Sequence, residues 1–292
     1  MSHRSGFVNI LGNPNVGKST IMNALVGEKL SIITAKAQTT RHRIMGIVNG
    51  EDFQIVYSDT PGILKPQYKL QETMMNFVNS ALTDADTILY VSDVLEKNAF
   101  EGEYIDRITE SGIPVIIALN KVDLTNQLEL EKVVESWHKA FPTSPIIPVS
   151  GLKKFNLESL LNAILTKLPE GPPFFPKDQL TDKYERFFAS EIIREKILVH
   201  YQKEIPYSVE IEIESFKVEK TIINIRALIH VTRDSQKGII IGHKGSMLKR
   251  VGTEARKDME AFFNKKVFLE LYVKVTKDWR DKPLVLRRFG YQ

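Results

Sequence analysis

The chain of 292 residues contains no cysteine, which excludes disulfide bonds, thiolate metal sites and cysteine nucleophiles. Histidine is scarce too, and the six histidines show no ligand-like spacing, which argues against a structural zinc site. No apolar run approaches the roughly 18 residues of a membrane-spanning helix. The first residues also lack the apolar core of a signal peptide. We therefore expect a cytosolic protein.

Charge is divided unevenly along the chain. Residues 183–292 contain 23 Lys and Arg against 15 Asp and Glu, a net charge of +8, whereas residues 1–182 carry 17 against 21, a net charge of −4. The hydrophobic content of 42% and the charged content of 26% are typical of folded soluble proteins. The length suits two domains. A basic C-terminal part favours a nucleic acid or another anionic surface as its partner.

A glycine-rich motif near the N-terminus reads G-x-x-x-x-G-K-S and follows an apolar run at residues 7–11. This strand–loop–helix context is typical of a P-loop, in which backbone N–H groups surround a phosphate at a helix N-terminus. We expect Lys18 to reach the β- and γ-phosphates and the Ser19 hydroxyl to bind Mg²⁺. The alternative is a glycine-rich turn without a ligand. The predicted phosphate-binding residues are Gly12, Asn13, Pro14, Asn15, Val16, Gly17, Lys18, Ser19 and Thr20.

A second motif, N-K-x-D, ends the apolar run at residues 113–119 and predicts which base is bound. The Asp123 carboxylate can accept hydrogen bonds from the ring N–H and the exocyclic amine of guanine, and adenine lacks both donors. We expect Asn120 to hold the base and the P-loop together. A further loop follows residue 149 and fits the back of the guanine. The predicted base-binding residues are Asn120, Lys121, Asp123, Ser150, Gly151 and Leu152.

A third motif, D-T-P-G, follows the alternating segment at residues 53–58. We expect Asp59 to contact Mg²⁺ and the Gly62 N–H to sense the γ-phosphate. A threonine of residues 39–40 can complete the Mg²⁺ shell when GTP is bound, which makes an order–disorder switch. The predicted metal ligands are thus Ser19, Thr40 and Asp59, the predicted catalytic residues are Lys18, Thr40 and Gly62, and the nucleotide-binding set gains Asp59, Thr60, Pro61, Gly62 and Ile63.

These motifs resemble those of the Era family of GTPases, and residues 38–42 resemble that family's switch I. Gly151 stands where alanine is usual, which predicts a looser guanine contact. Ile63 replaces the glutamine that orients the attacking water in Ras-like proteins, a replacement that the Era family shares. We therefore expect slow intrinsic hydrolysis, or water oriented by backbone groups, Mg²⁺ or a partner. In related GTPases an asparagine at the place of Asn15 helps to hold K⁺; a loop-capping role is an equal alternative.

Apolar and amphipathic segments alternate in the first half of the chain. This pattern predicts an α/β fold with a mostly parallel sheet covered on both faces, and one antiparallel hairpin at residues 48–51. The proline-rich stretch at 168–176 cannot continue a helix and predicts a semi-rigid linker. Strands are predicted near residues 7–11, 44–49, 53–58, 87–92, 113–119 and 145–149, and helices around 18–27, 69–83, 98–111, 129–140 and 156–168.

The second half of the chain has a different order of elements. Its patterns predict a helix at 185–201, strands at 207–214 and 221–231, a helix at 246–263 and a strand at 267–275. With a helix before the G-x-x-G sequence at 242–245, this order resembles a KH domain of type II. The predicted architecture is an α/β P-loop GTPase domain with a mostly parallel sheet (1–170), a Pro-rich linker (171–182) and a smaller α+β type II KH domain (183–292).

The G-x-x-G loop is the predicted clamp for the backbone of about four nucleotides of single-stranded RNA. Basic residues at the loop and on the helix that follows would meet the phosphates. The alternative is a helix–turn–helix corner in a plain α+β domain, with His243 merely exposed. The aromatic and basic tail at 278–291 either stacks on bases or packs onto the domain. The predicted RNA-binding residues are Gly242, His243, Lys244, Gly245, Lys249 and Arg250.

The resemblance covers nearly the whole chain and implies a GTPase that acts in assembly of the small (30S) ribosomal subunit. It implies binding to 16S rRNA near its 3′ end, GTP/GDP and Mg²⁺ as ligands with K⁺ as an option, and peripheral association with the inner membrane. We expect a monomer. Two alternatives stay open: a GTP-gated RNA-binding module with incidental turnover, and a tRNA-modification GTPase, for which the sequence offers no second catalytic domain.

Overall fold

The computed structural model describes residues 3–96 and 102–291. The chain divides into two compact units. The first comprises the residues up to Lys65 together with Met74–Asp182, and the second comprises Pro66–Thr73 together with the residues from Lys183 onward. Within the described residues, no helix is both long and apolar enough to cross a membrane.

The first unit is built on a six-stranded sheet with the strand order β2-β3-β1-β4-β5-β6. All neighbouring strands are parallel except β2 and β3, which form the predicted antiparallel hairpin. The prediction of a mostly parallel sheet is therefore confirmed. The strands are β1 (Arg4–Leu11), β2 (Ile44–Asn49), β3 (Phe53–Asp59), β4 (Thr87–Asp93), β5 (Val115–Asn120) and β6 (Ile146–Pro148).

The helices of this part of the chain begin and end close to their predicted positions. Asn126 caps the fourth helix, because its side chain accepts a hydrogen bond from the Glu129 N–H. The helix expected at 98–111 is observed from Glu103 onward, after Gly102, and its predicted start lies outside the described residues. The helices are α1 (Lys18–Val26), α2 (Lys69–Thr83), α3 (Glu103–Glu110), α4 (Gln127–Ala140) and α5 (Leu157–Lys167).

The sheet brings the ends of its strands to one edge, which positions the candidate site. Asp59 at the end of β3 lies opposite Ile10, and Asp93 at the end of β4 lies opposite Asn120 at the end of β5. Because parallel strands share a direction, the loops after β1, β3 and β5 all leave the sheet at this edge. All residues of β5 are buried, as expected for a strand covered on both faces.

The proline-rich segment at 171–182 belongs to the first unit and is hydrogen-bonded to its hairpin. The Gln54 side-chain oxygen accepts bonds from the N–H groups of Phe174 and Phe175 at 2.7 and 2.9 Å. The Ile47 N–H donates to the Leu180 carbonyl at 2.8 Å, and the Thr181 hydroxyl donates to the Met45 carbonyl. These bonds fix the segment along β2 and β3.

The second unit contains a three-stranded sheet with the order β7-β8-β9, antiparallel and then parallel. The first of these strands was expected from residue 207, but Ile205–Ser208 form a helical turn with Pro206 in its first positions. The elements are α6 (Glu185–His200), α7 (Ile205–Ser208), β7 (Glu210–Val218), β8 (Ile222–Val231), α8 (Asp234–Ile241), α9 (Ser246–Phe263), β9 (Lys266–Val275) and α10 (Pro283–Arg288).

The C-terminal tail packs onto this second unit, as one of the two alternatives proposed. Trp279 is fully buried, and its indole N–H donates to the Ser208 carbonyl at 3.0 Å. Its ring lies edge-on to Phe289, with 5.7 Å between the centroids. The Tyr291 hydroxyl donates to the buried Glu210 carboxylate at 2.7 Å. The side chain of Trp279 is therefore not available for stacking on a base.

Candidate functional site

The P-loop is a tight curl, and two of its positions accept no residue other than glycine. Gly12 and Gly17 have φ angles of 143° and 98°, which side chains rarely adopt. A Cβ at Gly17 would lie 2.1 Å from the Asn120 side-chain nitrogen, and a Cβ at Gly12 would lie 2.2 Å from the Val91 carbonyl oxygen. The P-loop backbone therefore lies close to the β4 backbone at Val91 and to the Asn120 side chain. A phosphate-binding loop requires such a tight curl.

Lys18 lies buried beneath this loop at the start of α1. Its ammonium group donates to the carbonyl oxygens of Gly12 and Asn13 at 3.0 and 2.8 Å. Burial lowers the pKa of Lys18 to about 8, while the negative charges of Asp59 and Glu96 oppose that shift. A lysine held in this way can transfer its hydrogen bonds to a phosphate, whose charge favours the protonated form.

Three oxygen-bearing side chains meet beside the P-loop, and they are the three predicted metal ligands. The Ser19 hydroxyl lies 2.7 Å from Asp59 Oδ2 and 2.8 Å from the Thr40 hydroxyl, and Thr40 lies 3.3 Å from the same carboxylate oxygen. The other oxygen, Asp59 Oδ1, is buried and makes no hydrogen bond of ordinary geometry to a described residue. Hydroxyl and carboxylate oxygens are the donors that Mg²⁺ prefers, so this set fits a magnesium ion.

Burial also affects the pKa of the Asp59 carboxyl group. Burial raises the pKa of Asp59, and the hydrogen bond from Ser19 and the charge of Lys18 oppose this shift. A divalent cation beside the carboxylate would favour the charged form strongly. The charged carboxylate is therefore costly to bury, and a cation beside it would offset that cost.

The segment after Asp59 lies against the P-loop. The Thr60 hydroxyl donates to the Ile10 carbonyl at 2.7 Å. A Cβ at Gly62 would lie 2.7 Å from Cα of Pro14, so only glycine allows this approach. The Ile63 N–H donates to the Gly12 carbonyl at 3.2 Å. The backbone of this segment is thus placed beside the loop that would hold the phosphates.

Asn120 joins the P-loop to the loop after β6. Its side-chain nitrogen donates to the Val16 carbonyl at 2.8 Å, and its side-chain oxygen accepts from the Gly151 N–H at 2.9 Å. The Asp123 carboxylate accepts a hydrogen bond of 2.6 Å from the Ser150 hydroxyl. These three bonds orient an amide and a carboxylate at the same edge of the sheet.

Gly151 has a packing reason that the sequence did not indicate. A Cβ at this position would lie 3.0 Å from Ile21 Cγ1 and 3.3 Å from the Ile21 nitrogen in α1. An alanine would therefore require α1 to move by a few tenths of an ångström.

The other two predicted base-binding residues lie on the same loops. Lys121 has a φ of 65° and forms an ion pair of 2.6 Å with Asp93, and the Leu152 side chain is 75% exposed.

These residues surround a cavity of about 550 Å³, a volume suited to a nucleotide. The cavity also contains residues that the motifs did not single out, on the segment between α1 and β2. The Asn15 side chain contacts this segment, donating to the Ala35 carbonyl at 3.2 Å. The cavity is lined by Pro14, Asn15, Gly17, Lys18, Ser19, Thr20, Ile32, Ile33, Thr34, Ala35, Gln38, Thr39, Thr40, Thr60, Gly62, Asn120, Lys121, Asp123, Leu124, Ser150 and Leu152.

The G-x-x-G sequence forms the turn between α8 and α9. Gly242 has a φ of 72°, and a Cβ there would lie 2.7 Å from Met247 Cβ. Gly245 has a φ of 78°, but its surroundings are open. His243 and Lys244 between them are exposed. The tight turn thus leaves backbone and a basic side chain accessible at the start of α9.

A groove of about 390 Å³ extends from Gly245 along α9. Lys249 lies in it as predicted, whereas Arg250 is not among its lining residues and instead binds Glu254 at 3.1 Å. The prediction missed Gly252, where a Cβ would lie 3.3 Å from Leu271 Cδ1. The local sequence pattern does not point to Gly252, because the side chain that limits its size lies on β9. The groove is lined by Gly245, Leu248, Lys249, Gly252, Thr253, Arg256, Leu269 and Leu271.

Comparison with known proteins identifies the family. A family model described as 50S ribosome-binding GTPase matches residues 7–121, and a KH domain model matches residues 204–280. Curated proteins named GTPase Era are similar over the full length: 42% identity in Clostridium kluyveri, covering 99% of both chains, and 46% in Syntrophus aciditrophicus, covering 99% of this chain and 95% of the other. The chain belongs to the Era family of GTPases.

Solved structures of Era proteins have the same fold. Two of them are 40% identical with a TM-score of 0.95, covering 99% of both chains. One is Era in complex with MgGDPNP and nucleotides 1506–1542 of 16S ribosomal RNA, and the other is an Aquifex aeolicus Era variant bound to GDP·AlF₄⁻. The predicted P-loop GTPase fold followed by a KH domain is confirmed, and this Era-family protein is a GTP-hydrolysing enzyme.

Proposed function

We propose that this Era-family GTPase is an assembly factor of the small (30S) ribosomal subunit that binds 16S rRNA near its 3′ end and cycles between GTP and GDP with Mg²⁺. The observation that carries the proposal is the similarity, over 99% of both chains, to an Era structure in complex with MgGDPNP and nucleotides 1506–1542 of 16S rRNA. The groove along α9 supports the proposal, because it places lysine and arginine side chains beside an open glycine turn. Such side chains and exposed backbone bind the phosphates of single-stranded RNA.

At the nucleotide site, we assign phosphate binding to the P-loop, base recognition to Asn120 and Asp123, and the metal to Ser19, Thr40 and Asp59. A bound Mg²⁺ would neutralise charge on the phosphates. The protein's own contribution is the Lys18 ammonium, which favours the charge that develops on the transferred phosphoryl group. The whole proposed set is Gly12, Asn13, Pro14, Asn15, Val16, Gly17, Lys18, Ser19, Thr20, Asp59, Thr60, Pro61, Gly62, Ile63, Asn120, Lys121, Asp123, Ser150, Gly151 and Leu152.

In this proposal, backbone groups orient the attacking water. The side chain of Ile63 has no polar atom, so it cannot take the role of the glutamine in Ras-like GTPases. The backbone next to it is well placed, since Gly62 packs on Pro14 and the Ile63 N–H is held by the Gly12 carbonyl. We therefore include Thr40 and Gly62 with Lys18 as catalytic residues. A K⁺ ion beside Asn15 is a further proposal, supported by the nearby Ala35 carbonyl.

At the RNA site, the clamp consists of the turn between α8 and α9 with the basic residues that follow. Lys249 lines the groove, and we expect it to contribute more than Arg250, whose guanidinium group is bound to Glu254. The apolar side chains of Leu269 and Leu271 supply a floor on which bases can pack. The proposed set remains Gly242, His243, Lys244, Gly245, Lys249 and Arg250. Arg256 also lines the groove, but its guanidinium group is bound to Glu260 at 3.0 Å, so we expect it, like Arg250, to contribute less than Lys249.

For the whole chain, we propose a GTPase domain at 1–170, a connecting segment at 171–182 and a KH domain at 183–292. We further propose a cytoplasmic monomer with a peripheral fraction at the inner membrane, supported by the net charge of +8 over residues 183–292. Salt-sensitive binding to anionic vesicles, with no binding to neutral ones, would be the expected result for the membrane fraction.

The decisive experiment measures binding and turnover together. We expect an RNA of 16S nucleotides 1506–1542 to bind much more tightly than a shuffled RNA of the same composition, in the presence of a GTP analogue and Mg²⁺. GTP turnover is then compared with and without small-subunit RNA. A changed rate supports the assembly factor, whereas an unchanged rate with specific binding favours the GTP-gated RNA-binding module. Equal affinity for both RNAs would contradict the proposal.

A further inference from the structure

Arg43 forms a polar cluster that the GTPase motifs do not account for. It is the last residue of the switch segment (residues 31–43) and stands three residues after Thr40. Its guanidinium group donates two hydrogen bonds to the Asp84 carboxylate, at 2.6 and 2.9 Å, just beyond the end of α2. Its Nε donates to the Ser58 hydroxyl at 2.5 Å, next to Asp59. The Arg43 side chain is 11% exposed and the Asp84 side chain is 49% exposed, so this bidentate ion pair has a buried guanidinium group and a half-exposed carboxylate.

A buried asparagine completes the cluster. Asn9 lies in the middle of β1 and is fully buried, although its neighbours Val8 and Ile10 are apolar. Its side-chain nitrogen donates to the Ala81 carbonyl at 2.6 Å and to the Asp84 carboxylate at 2.7 Å, and its oxygen accepts from Arg43 at 3.2 Å. β1, β3 and the end of α2 are therefore joined through one guanidinium group. Such a fully bonded cluster fixes its members in one arrangement.

The two residues before Arg43 explain why this arrangement concerns the nucleotide. Arg41 is fully buried, and the His42 ring lies 6.1 Å from the Phe77 ring of α2. The chain from residue 41 to 43 is thus fixed against the first unit, and Thr40 is the residue at which it meets Ser19 and Asp59. Loosening of the 41–43 segment would therefore leave Thr40 less firmly held beside Ser19 and Asp59.

We propose that Arg43 is a positioning residue that anchors the C-terminal end of the switch segment, so that Thr40 reaches the metal beside the γ-phosphate with little loss of entropy. The anchor favours GTP over GDP, because only the GTP-bound form uses Thr40 in this role. Without the anchor, more residues must be ordered when GTP binds, and each ordered residue adds to the cost. The inference rests on the proposed role of Thr40 at the GTP·Mg²⁺ site.

The test compares the affinities of Arg43→Met, Arg43→Lys and Asp84→Asn for GDP and for a non-hydrolysable GTP analogue, both with Mg²⁺. We expect GDP affinity within about twofold of the wild type and analogue affinity about tenfold weaker for Arg43→Met, since about one more residue must be ordered. Arg43→Lys should rescue little, because an ammonium group cannot reproduce the bidentate pair. Lys139→Met, which removes an exposed ion pair with Glu135 on α4, is the matched control.

Two further measurements separate positioning from general destabilisation. In the nucleotide-free protein, amide hydrogen exchange should increase at residues 40–47 in Arg43→Met and stay unchanged in Lys139→Met. The double variant Arg43→Met/Asp84→Asn should lose no more analogue affinity than Arg43→Met alone, as partners in one cluster do. Equal losses for GDP and the analogue, or a wild-type ratio in Arg43→Met, would overturn the proposal.

A Thr40→Ala variant distinguishes this proposal from the one on which it rests. If Thr40→Ala lowers analogue affinity but Arg43→Met does not, the anchoring role of Arg43 is wrong and the metal site stands. If Thr40→Ala leaves the ratio of the two affinities unchanged, the assignment of Thr40 fails, and the role of Arg43 fails with it. Asp84→Asn keeps the shape of a half-exposed side chain, so it provides a folded variant should Arg43→Met be unstable.

Discussion

The Asp123 carboxylate is oriented by a 2.6 Å hydrogen bond that it accepts from the Ser150 hydroxyl. We expect Asp123→Asn to weaken GTP binding by about 2–3 kcal/mol, roughly the cost of losing a charged hydrogen-bond pair. The same variant should gain affinity for xanthosine triphosphate, whose carbonyl suits an amide donor. Competition titrations with GTP, XTP and ATP measure both effects. Equal affinity of the wild type for ATP and GTP would contradict the base assignment.

Ile63 should matter less to hydrolysis than its position suggests. Its N–H is bonded to the Gly12 carbonyl, and this backbone bond survives in Ile63→Ala. We expect this variant to retain much of its single-turnover rate. Lys18→Ala should lose nearly all of it, since it lacks the positive charge that stabilises the transferred phosphoryl group. GTP affinity and thermal unfolding are measured alongside. A folded, GTP-binding Ile63→Ala without hydrolysis would contradict the assignment of water orientation to the backbone.

Single residues were predictable where a contiguous motif determines the chemistry. Lys18, Ser19 and Asp59 could be assigned because each belongs to a short run that follows an apolar strand, and the structure brings all three together. Arg43 and Asp84 could not, because they lie 41 positions apart and meet only once α2 has packed against the sheet. Nor does the sequence show that an alanine at Gly151 would press on α1.

At the scale of elements, His230 links β8 to β7, to the residue after β9 and to the tail. Its ring nitrogens lie 2.8 Å from the Thr276 hydroxyl and 2.9 Å from the Glu212 carboxylate, and Phe289 lies against the ring with 4.8 Å between the centroids. Burial lowers the pKa of His230, Glu212 opposes this shift, and the Lys274 charge adds to it. The histidine is therefore neutral in the folded protein at neutral pH.

The sign of the pH dependence follows from that lowered pKa. As the pH falls below about 6.5, the unfolded chain takes up a proton on this histidine before the folded chain does, so the second unit loses stability. Glu212 acts in a lower range: burial alone would raise its pKa, but hydrogen bonds from Arg288 and His230 lower it below 4.5, so its contribution is lost only below that pH. Between pH 7.5 and 5.5, the loss of stability should therefore reflect protonation of His230 and not of Glu212.

The measurement uses the full chain with Trp137→Phe, so that Trp279 is the remaining tryptophan and its fluorescence reports the second unit. Denaturant midpoints should fall between pH 7.5 and 5.5, and His230→Gln should reduce this fall because glutamine does not titrate. The His138→Gln variant, on α4 of the first unit, is the control. An identical pH slope in His230→Gln and in the parent would contradict the assignment.

Helices and strands were predicted well where one hydrophobic periodicity holds over the whole segment, and less well where the periodicity changes along the chain. Apart from the start of α3, whose predicted position lies outside the described residues, the strands and helices of the first unit begin and end within a few residues of the expected positions. Buried parallel strands are easy to recognise because they appear in the sequence as unbroken apolar runs. The turn at Ile205–Ser208 was read as the start of a strand, since alternation from residue 207 continues into β7. The groove residue Gly252 was missed because its reason, contact with Leu271, lies on another element.

At the scale of the whole molecule, RNA binding and GTP hydrolysis should be separable by a change at Gly245. This glycine is the better site for a test than Gly242, where any side chain would press on Met247. Gly245 has a φ of 78° and a ψ of 8°, a conformation that asparagine and aspartate tolerate, and nothing lies within 4 Å of a Cβ built there. Gly245→Asp and Gly245→Asn thus form a matched pair that differs only in charge.

We expect Gly245→Asp to weaken binding of the 16S 3′ fragment by at least tenfold more than Gly245→Asn, because a carboxylate would face RNA phosphates. Intrinsic GTP hydrolysis without RNA should stay at the wild-type rate in both variants. Lys244→Ala should bind less tightly and lower the slope of log affinity against log salt by about 0.7, the value for one phosphate contact on a single strand. Wild-type RNA affinity in a folded Gly245→Asp would remove the turn between α8 and α9 from the RNA site, and a loss of hydrolysis without RNA would contradict the separation of the two activities.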